Sequence, residues 1–449
     1  MPAQSSAPHA AFMGLGYVGL TTAACFASRG IRTVGYDWVR EREECIRRGK
    51  LPFYEPRLDG LVSKTLRSGQ LSVGSEPSIL ADAGVVFVTV GTPSRKDGSV
   101  DLLHVRRAAG MLGKLAKKEN SFRIVVLRST VVPGSTEDPF EREFRSAAGK
   151  SASGVAVCFN PEFLREGRAV EDTLQPRRLV IGEKKQGDAG PLVELYKMFL
   201  GRLPPLIRTT LVNAEMIKYA SNAFLATKVS FINSFANICQ LTPEADIEVV
   251  AKGMGLDERI GEGFLSAGLG WGGSCFPKDL RAISAWAKSH GGSLPIIDAT
   301  LQVNERQPMV AVETAENVLG GLRGRRVSVL GLSFKPHTDD VRGAVSVPLV
   351  RELLRRGADV RVYDPKAMEN ARRVLGSSVK YAQSVAACLR LSDCCIIVTE
   401  WPGFSKLGRK AFAAMRRRVI VDGRNLLRAS VPEGVEYHAV GLGPVVRRC

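Results

Sequence analysis

The stretch Ala10–Gly30, "AAFMGLGYVGLTTAACFASRG", decides the fold. An apolar strand runs into Gly14-Leu15-Gly16-Tyr17-Val18-Gly19, and a helix of small residues follows. The first amides of that helix can hold a pyrophosphate. The spacing alone is weak: the chain has 45 glycines in 449 residues, and Gly268–Gly273, "GLGWGG", fits it without a strand in front. Context separates the two. A second strand, "RTVGYD", ends at Asp37, 18 residues past Gly19, where a carboxylate binds adenosine ribose hydroxyls and repels a 2′-phosphate. A tight turn with a capping acid is the plainer reading. The strand–turn–helix order favours a dinucleotide site for NAD over NADP, with Arg40 and Arg42 close by.

Outward from there, strand-like runs alternate with amphipathic segments to about residue 200: "GVVFVTVGTP", "RIVVLRST", "GVAVCFNPEF" and "RLVIG". That rhythm is a doubly wound α/β domain with a parallel sheet. From about 210 to 310 the strands stop. "NAEMIKYASNAFLATKVSFINSFANICQL" places Ile217, Ala220, Phe224, Phe231, Phe235 and Ile238 at helical spacing, with no Gly or Pro before Pro243, so one long helix is expected. After "GGLRGRR" the alternation returns in "VSVLGLSFK", "ADVRVYDP", "DCCIIVTE" and "RRVIVDGRN". The fold expected is α/β: two doubly wound domains of dinucleotide-binding type joined by a long central helix. The divisions fall at 1–205, 206–315 and 316–449.

Composition narrows the function. A 45% hydrophobic and 24% charged chain is that of a globular protein, and no apolar run nears the roughly 18 residues of a membrane span. "MPAQSSAPHA" shows no secretory pattern, so a cytoplasmic protein is expected. Nine scattered cysteines without CxxC or zinc-like spacing suit reduced thiols and no metal. The net charge of +18 is dispersed; the densest run, Arg416–Arg418, has no stacking aromatics beside it, so neither nucleic acid nor membrane is expected as a partner. An anionic small substrate accounts for it more simply.

Two constellations carry chemistry. Lys218 and Asn222 are four apart and project from one face of the long helix; a solvated face is the ordinary explanation for such a pair. The second is "GLGWGGSCFPKDL", Gly268–Leu280. Pro277 suits a first helical turn, so Cys275 stands where a helix begins, and dipole and ammonium would favour the thiolate. Glycines 268, 270, 272 and 273 would let a substrate approach the backbone, and Asp279 lies one turn beyond the thiol. A buried packing cysteine is the rival reading.

"GLGYVGL", "VGTPSRKDGSVDL", "RSTVVPGST", "NPEFLREGRAV", "NAEMIKYASNAFLATKVSFIN", "GLGWGGSCFPKDL", "GLSFKPHTDDVR" and "VDGRN" follow in order along nearly the whole chain. In these motifs the chain resembles the nucleotide-sugar dehydrogenases, of the UDP-glucose/GDP-mannose dehydrogenase family. The resemblance implies a four-electron oxidation of UDP-glucose to UDP-glucuronate with two NAD. An aldehyde must become tetrahedral before it yields a second hydride, and a Cys275 thiohemiacetal, then a thioester, meets that need.

Other roles come with the resemblance. Lys218 and Asn222 look like oxyanion stabilisers, Asp279 and Thr130 like the pair that holds a water, and Glu162 like a base in thioester hydrolysis. Gly14, Gly16, Tyr17, Val18, Gly19, Asp37, Arg42, Thr92, Thr130 and Glu166 match cofactor contacts. Glu162, Phe163, Leu164, Lys218, Asn222, Phe264, Gly272, Lys335 and Arg424 match substrate contacts. Arg259 resembles an arginine that crosses a homodimer interface to the sugar nucleotide, and the central block would hold that interface.

Three positions depart from the family pattern. Gly343-Ala344 replaces the usual "ES", Arg177 stands where an acid is usual, and Ser266 where some members have a lysine near the phosphates. GDP-mannose or a UDP-N-acetylhexosamine is the alternative substrate. A two-electron hydroxyacid dehydrogenase and a non-catalytic NAD-binding protein are the more distant readings.

Overall fold

The computed structural model describes residues 10–118 and 122–444. The segment read above for a leader, up to residue 9, lies outside the described residues. The chain divides into two compact units, one ending at Ser221 and the other beginning at Asn222.

In the first unit eight strands form one sheet: β1 (Ala10–Met13), β2 (Thr33–Tyr36), β3 (Leu71–Gly74), β4 (Val85–Val88), β5 (Ile124–Leu127), β6 (Ala156–Phe159), β7 (Leu179–Glu183) and β8 (Leu206–Thr209). Their order is β3-β2-β1-β4-β5-β6-β7-β8, parallel throughout except where β6 meets β7. β1, β4 and β5 are buried at every position, as expected of strands covered on both faces. One core holds Phe12, Phe26, Phe87 and Phe199; another holds Met13, Val86, Phe140 and Phe144. The reversal of strand order falls between β1 and β4, the place where such sheets take ligands at their carboxyl ends.

The second unit repeats the plan with β9 (Arg326–Leu330), β10 (Asp359–Tyr363), β11 (Lys380–Tyr381), β12 (Cys394–Ile397), β13 (Val419–Asp422) and β14 (Glu436–Ala439). All pair in parallel in the order β11-β10-β9-β12-β13-β14. In chain order, the expected long helix, Leu211–Leu241, comes between the strands of the two sheets. Its faces reverse the simple expectation. Lys218 and Asn222 are only 4% and 7% exposed, whereas Phe224 is 66% and Ile238 60% exposed. The polar pair is therefore no solvated face. Helical spacing identified the stripe but not which side it shows to water.

Candidate active site

The dinucleotide motif folds as its sequence dictates. Gly14 has φ +102°, a region a side chain rarely adopts, and a Cβ on Gly19 would stand 1.9 Å from the Gly14 carbonyl oxygen. β1 therefore passes straight into the helix Tyr17–Ser28. Asp37 is buried just after β2, and its carboxylate accepts the Leu15 N–H at 2.7 Å and the Val39 N–H at 2.9 Å. Arg42 donates to it at 2.8 Å. A turn that requires glycine at 14 and 19, with a carboxylate fixed beside it, fits a dinucleotide.

Glu55 was not foreseen from its local sequence. Its buried carboxylate accepts from the Tyr17 hydroxyl, from Gly167 N–H at 2.6 Å and from Ala169 N–H at 2.7 Å. It thus ties the glycine turn to the loop carrying Glu166. Burial, then the bond to Glu55, pushes the Tyr17 hydroxyl well above its ordinary value, so it stays neutral. The visible signal was an acid in "FYEP", where nothing else called for a charge.

In the same unit, the Lys218 ammonium donates to the Glu162 carbonyl at 2.7 Å and its carboxylate at 2.9 Å. Glu162 also accepts the Leu164 N–H at 2.6 Å. Burial alone would raise this carboxyl; the Lys218 charge and hydrogen bond, the Leu164 N–H and the Arg128 charge outweigh it and hold it low. Glu162 is therefore a carboxylate near neutrality. Arg128, also unforeseen, is buried on Asn160 and Tyr196. Phe163 lies under the Arg178 guanidinium at 4.1 Å and the Lys218 ammonium at 5.5 Å. The Thr92 hydroxyl donates to the Thr130 carbonyl at 2.9 Å.

In the second unit, Cys275 is the residue from which the helix Phe276–Ser289 starts, with Pro277 in its first turn as expected. Its carbonyl accepts the Asp279 N–H at 2.8 Å, and its sulfur lies 3.6 Å from the Ser274 hydroxyl. Asp279 is buried between two donors, Asn222 Nδ2 at 2.7 Å and Lys278 Nζ at 2.6 Å. The structure brings Asn222, Asp279 and the start of the cysteine helix together in this unit. Lys218, Glu162 and Thr130 belong to the other. Cys275 is less buried than most of the described cysteines. Among the described residues, burial raises the thiol pKa of Cys25, Cys158, Cys239, Cys388, Cys394 and Cys395, in several to about 12. Among the described cysteines only Cys45 and Cys275 are partly exposed.

The loop before the cysteine has no ladder to satisfy its backbone, and side chains serve instead. Asn233 accepts the Gly268 N–H at 2.8 Å, and Gln307 donates to the Gly268 carbonyl at 2.9 Å. Asn304 bonds both N–H and carbonyl of Trp271, at 2.8 and 2.9 Å. Its glycines have a packing reason that composition did not reveal: a Cβ on Gly272 would lie 2.2 Å from the Gly343 carbonyl, and one on Gly273 2.8 Å from the Phe334 ring. The departure at Gly343 thus sits directly against this loop. Arg424 donates to Val398 and Gly270 carbonyls at 2.8 and 3.2 Å, and a cavity of about 420 Å³ is lined by Arg424, Ser266, Lys252 and Asn425. Lys335 lies over the Phe334 ring at 5.4 Å, and Phe264 has φ +65°. Arg259 is 86% exposed and paired with Asp257 at 2.6 Å.

Family models agree with these features. Residues 9–200 match the NAD binding domain, 212–306 the central domain and 328–429 the UDP binding domain of the UDP-glucose/GDP-mannose dehydrogenase family. The chain belongs to that family. It is 41% identical over 441 residues to the UDP-glucose 6-dehydrogenase TuaD of Bacillus subtilis, covering 97% of this chain and 94% of that one. It is 40% identical to AglM of Haloferax volcanii, also a UDP-glucose 6-dehydrogenase, over 95% of this chain and 99% of that one. A UDP-glucose dehydrogenase structure from Pyrobaculum islandicum superposes with a TM-score of 0.91 at 42% identity, covering 98% and 99%. A UDP-D-ManNAc dehydrogenase from Pyrococcus horikoshii gives 0.84 at 26% identity, covering 96% and 99%. The family member is an NAD-dependent oxidoreductase. No helix among the described residues is long and apolar enough to cross a membrane.

Proposed function

We propose that this dehydrogenase oxidises C6 of UDP-glucose twice, to UDP-glucuronate, with Cys275 holding the sugar between the two oxidations. The observation that carries the reading is a partly exposed thiol at a helix start, followed one turn later by a buried aspartate bonded to Asn222. An alcohol dehydrogenase that stops at the aldehyde has no use for it. The relatives near 40% identity, all UDP-glucose enzymes, support the choice of sugar.

NAD, when bound at the Gly14–Gly19 turn and Asp37, accepts the hydrides. Lys218 and Asn222 donate N–H to the C6 oxygen and stabilise it as negative charge develops. The Cys275 thiolate adds to the aldehyde carbon, and the oxygen is held as the alkoxide of a thiohemiacetal. Its oxidation leaves a thioester, which a water held by Asp279 and Thr130 hydrolyses, freeing the thiol. Glu162 is kept ionised by Lys218 and serves as the base for that water. Phe163, Leu164, Phe264 and Gly272 line the sugar; Lys335 and Arg424 neutralise the diphosphate, without the lysine that Ser266 replaces.

The three-part division at 1–205, 206–315 and 316–449 is part of the same reading. So is a homodimer. Phe224, Phe231, Phe235, Ile238 and Leu241 form an exposed apolar row on one helix, more than a monomer leaves in water without cause, and the exposed Arg259, now held by Asp257, would exchange that partner for a second copy's substrate. Reduced cysteines throughout the described residues suit the cytoplasm. NADH measured against UDP-glucose, GDP-mannose and UDP-N-acetylhexosamines tests the substrate. Turnover of GDP-mannose with silence on UDP-glucose would overturn it.

A further inference from the structure

Glu215 stands three residues before Lys218 on the long helix and is fully buried. Its carboxylate takes three donors from one loop: Gly134 N–H at 2.6 Å, Thr136 N–H at 2.8 Å and the Thr136 hydroxyl at 2.5 Å. That loop follows β5 and carries Thr130, whose carbonyl is tied to Thr92. Residues 130–136 are thus fastened at one end beside β4 and at the other to the helix that carries Lys218.

We propose that Glu215 is a positioning residue, whose carboxylate sets the Thr130 loop in register with Lys218 and Glu162. The inference rests on the reading of Thr130, Lys218 and Glu162 as reaction-site residues. Glu215 and Lys218 share one helical turn, so the loop and Glu162 are referred to a common rigid element. A carboxylate is the group that serves here, because it alone accepts from all three donors; an amide in its place would set an NH2 against an N–H. Charge at this position is not there for stability. Burial pushes the Glu215 carboxyl up to about 7, against the pull of the Thr136 and Gly134 donors and with a further push from Glu137. The folded value exceeds the unfolded one, so ionising Glu215 lowers stability as pH rises from about 4.5 to 7. A group that costs stability in its working state is better explained by what it places.

The test uses the full chain with Glu215→Gln, and Thr136→Val as a milder change that removes one donor. Steady-state kinetics with UDP-glucose and NAD, amide exchange over residues 130–136 and thermal unfolding are read together. Expected for Glu215→Gln is a kcat loss of about 100-fold with both KM values within about threefold. Exchange should speed up at Gly134 and Thr136 alone, with the unfolding midpoint above pH 7 unchanged or raised. Thr136→Val should show the same pattern, weaker, and decides the matter if Glu215→Gln does not fold. Unchanged kcat, or a loss accompanied by a lower midpoint and faster exchange throughout, would overturn the proposal. If the wild type makes no NADH from UDP-glucose, the substrate reading fails by itself. Exchange at Gly134 and Thr136 then still decides: confined acceleration supports the register and unchanged exchange refutes it.

Discussion

In the first sheet β1 runs into Gly14, whose N–H donates to the Tyr36 carbonyl at 2.8 Å; in the second, β9 runs into Gly331, whose N–H donates to the Tyr363 carbonyl at 2.8 Å. Both glycines have φ near +100°, and each would press a Cβ onto a threonine, Thr89 or Thr399. An acid follows the next strand in each, and Asp37 and Asp364 each accept the N–H after the glycine at 2.7 Å. The units then diverge. The first starts a helix at Tyr17, with Gly19 packed on the turn; the second starts one only at Ser346. Asp364 is also filled from within, by Ser333, Trp401, Lys366 and Ala367. Ligand class follows from what comes after the strand, while the strand's own ending is common property.

The comparison is open to attack by paired substitutions. The largest effect belongs to Gly19→Val, whose side chain has no room against the Gly14 carbonyl. NAD affinity, titrated by fluorescence, should fall at least about 100-fold or the unit should not fold. Gly331→Ala should lower the unfolding midpoint yet leave NAD affinity intact, and a matching loss of NAD binding would break the contrast. Next, Lys218→Met leaves Glu162 buried without its partner and should cost about 3–5 kcal/mol at pH 7 by denaturant unfolding. Because Glu162 is held below its unfolded value of 4.5, its contribution is full above that pH and fades as pH falls through the folded value. The variant should lose this acid limb.

Asp364→Asn is expected to cost about 3 kcal/mol without moving the KM for NAD, since one oxygen becomes a donor among donors. Asp37→Asn should do the reverse, raising that KM by about tenfold with a smaller loss of stability. Identical behaviour of the two asparagines would mean that the acids do one job. Smallest is Arg42→Ala, a half-exposed partner of Asp37, for which less than about 1 kcal/mol and a KM change under about fivefold are expected.

Much of the fold could be read in advance, because parallel strands buried on both faces are continuous apolar runs and the long helix lacks any breaker. The helix at Phe276 followed from Pro277. What stayed hidden was the direction of burial. Lys218 and Asn222 looked like surface residues because their partners, Glu162 and Asp279, are 56 and 57 residues away. Glu55, Glu215 and Arg128 escaped for the same reason: each acts through backbone or side chains of distant loops, and no local spacing records that. The glycines of the cysteine loop were noticed, but not the packing that requires one of them: a Cβ on Gly272 would meet the Gly343 backbone, 71 residues on.

The most direct trial of the account counts NADH per UDP-glucose consumed, for the wild type and for Cys275→Ser. Two NADH per sugar in the wild type, and in the variant arrest at the aldehyde or at a stalled covalent adduct, is the predicted outcome. One NADH per sugar, or a variant as fast as the wild type, would contradict it.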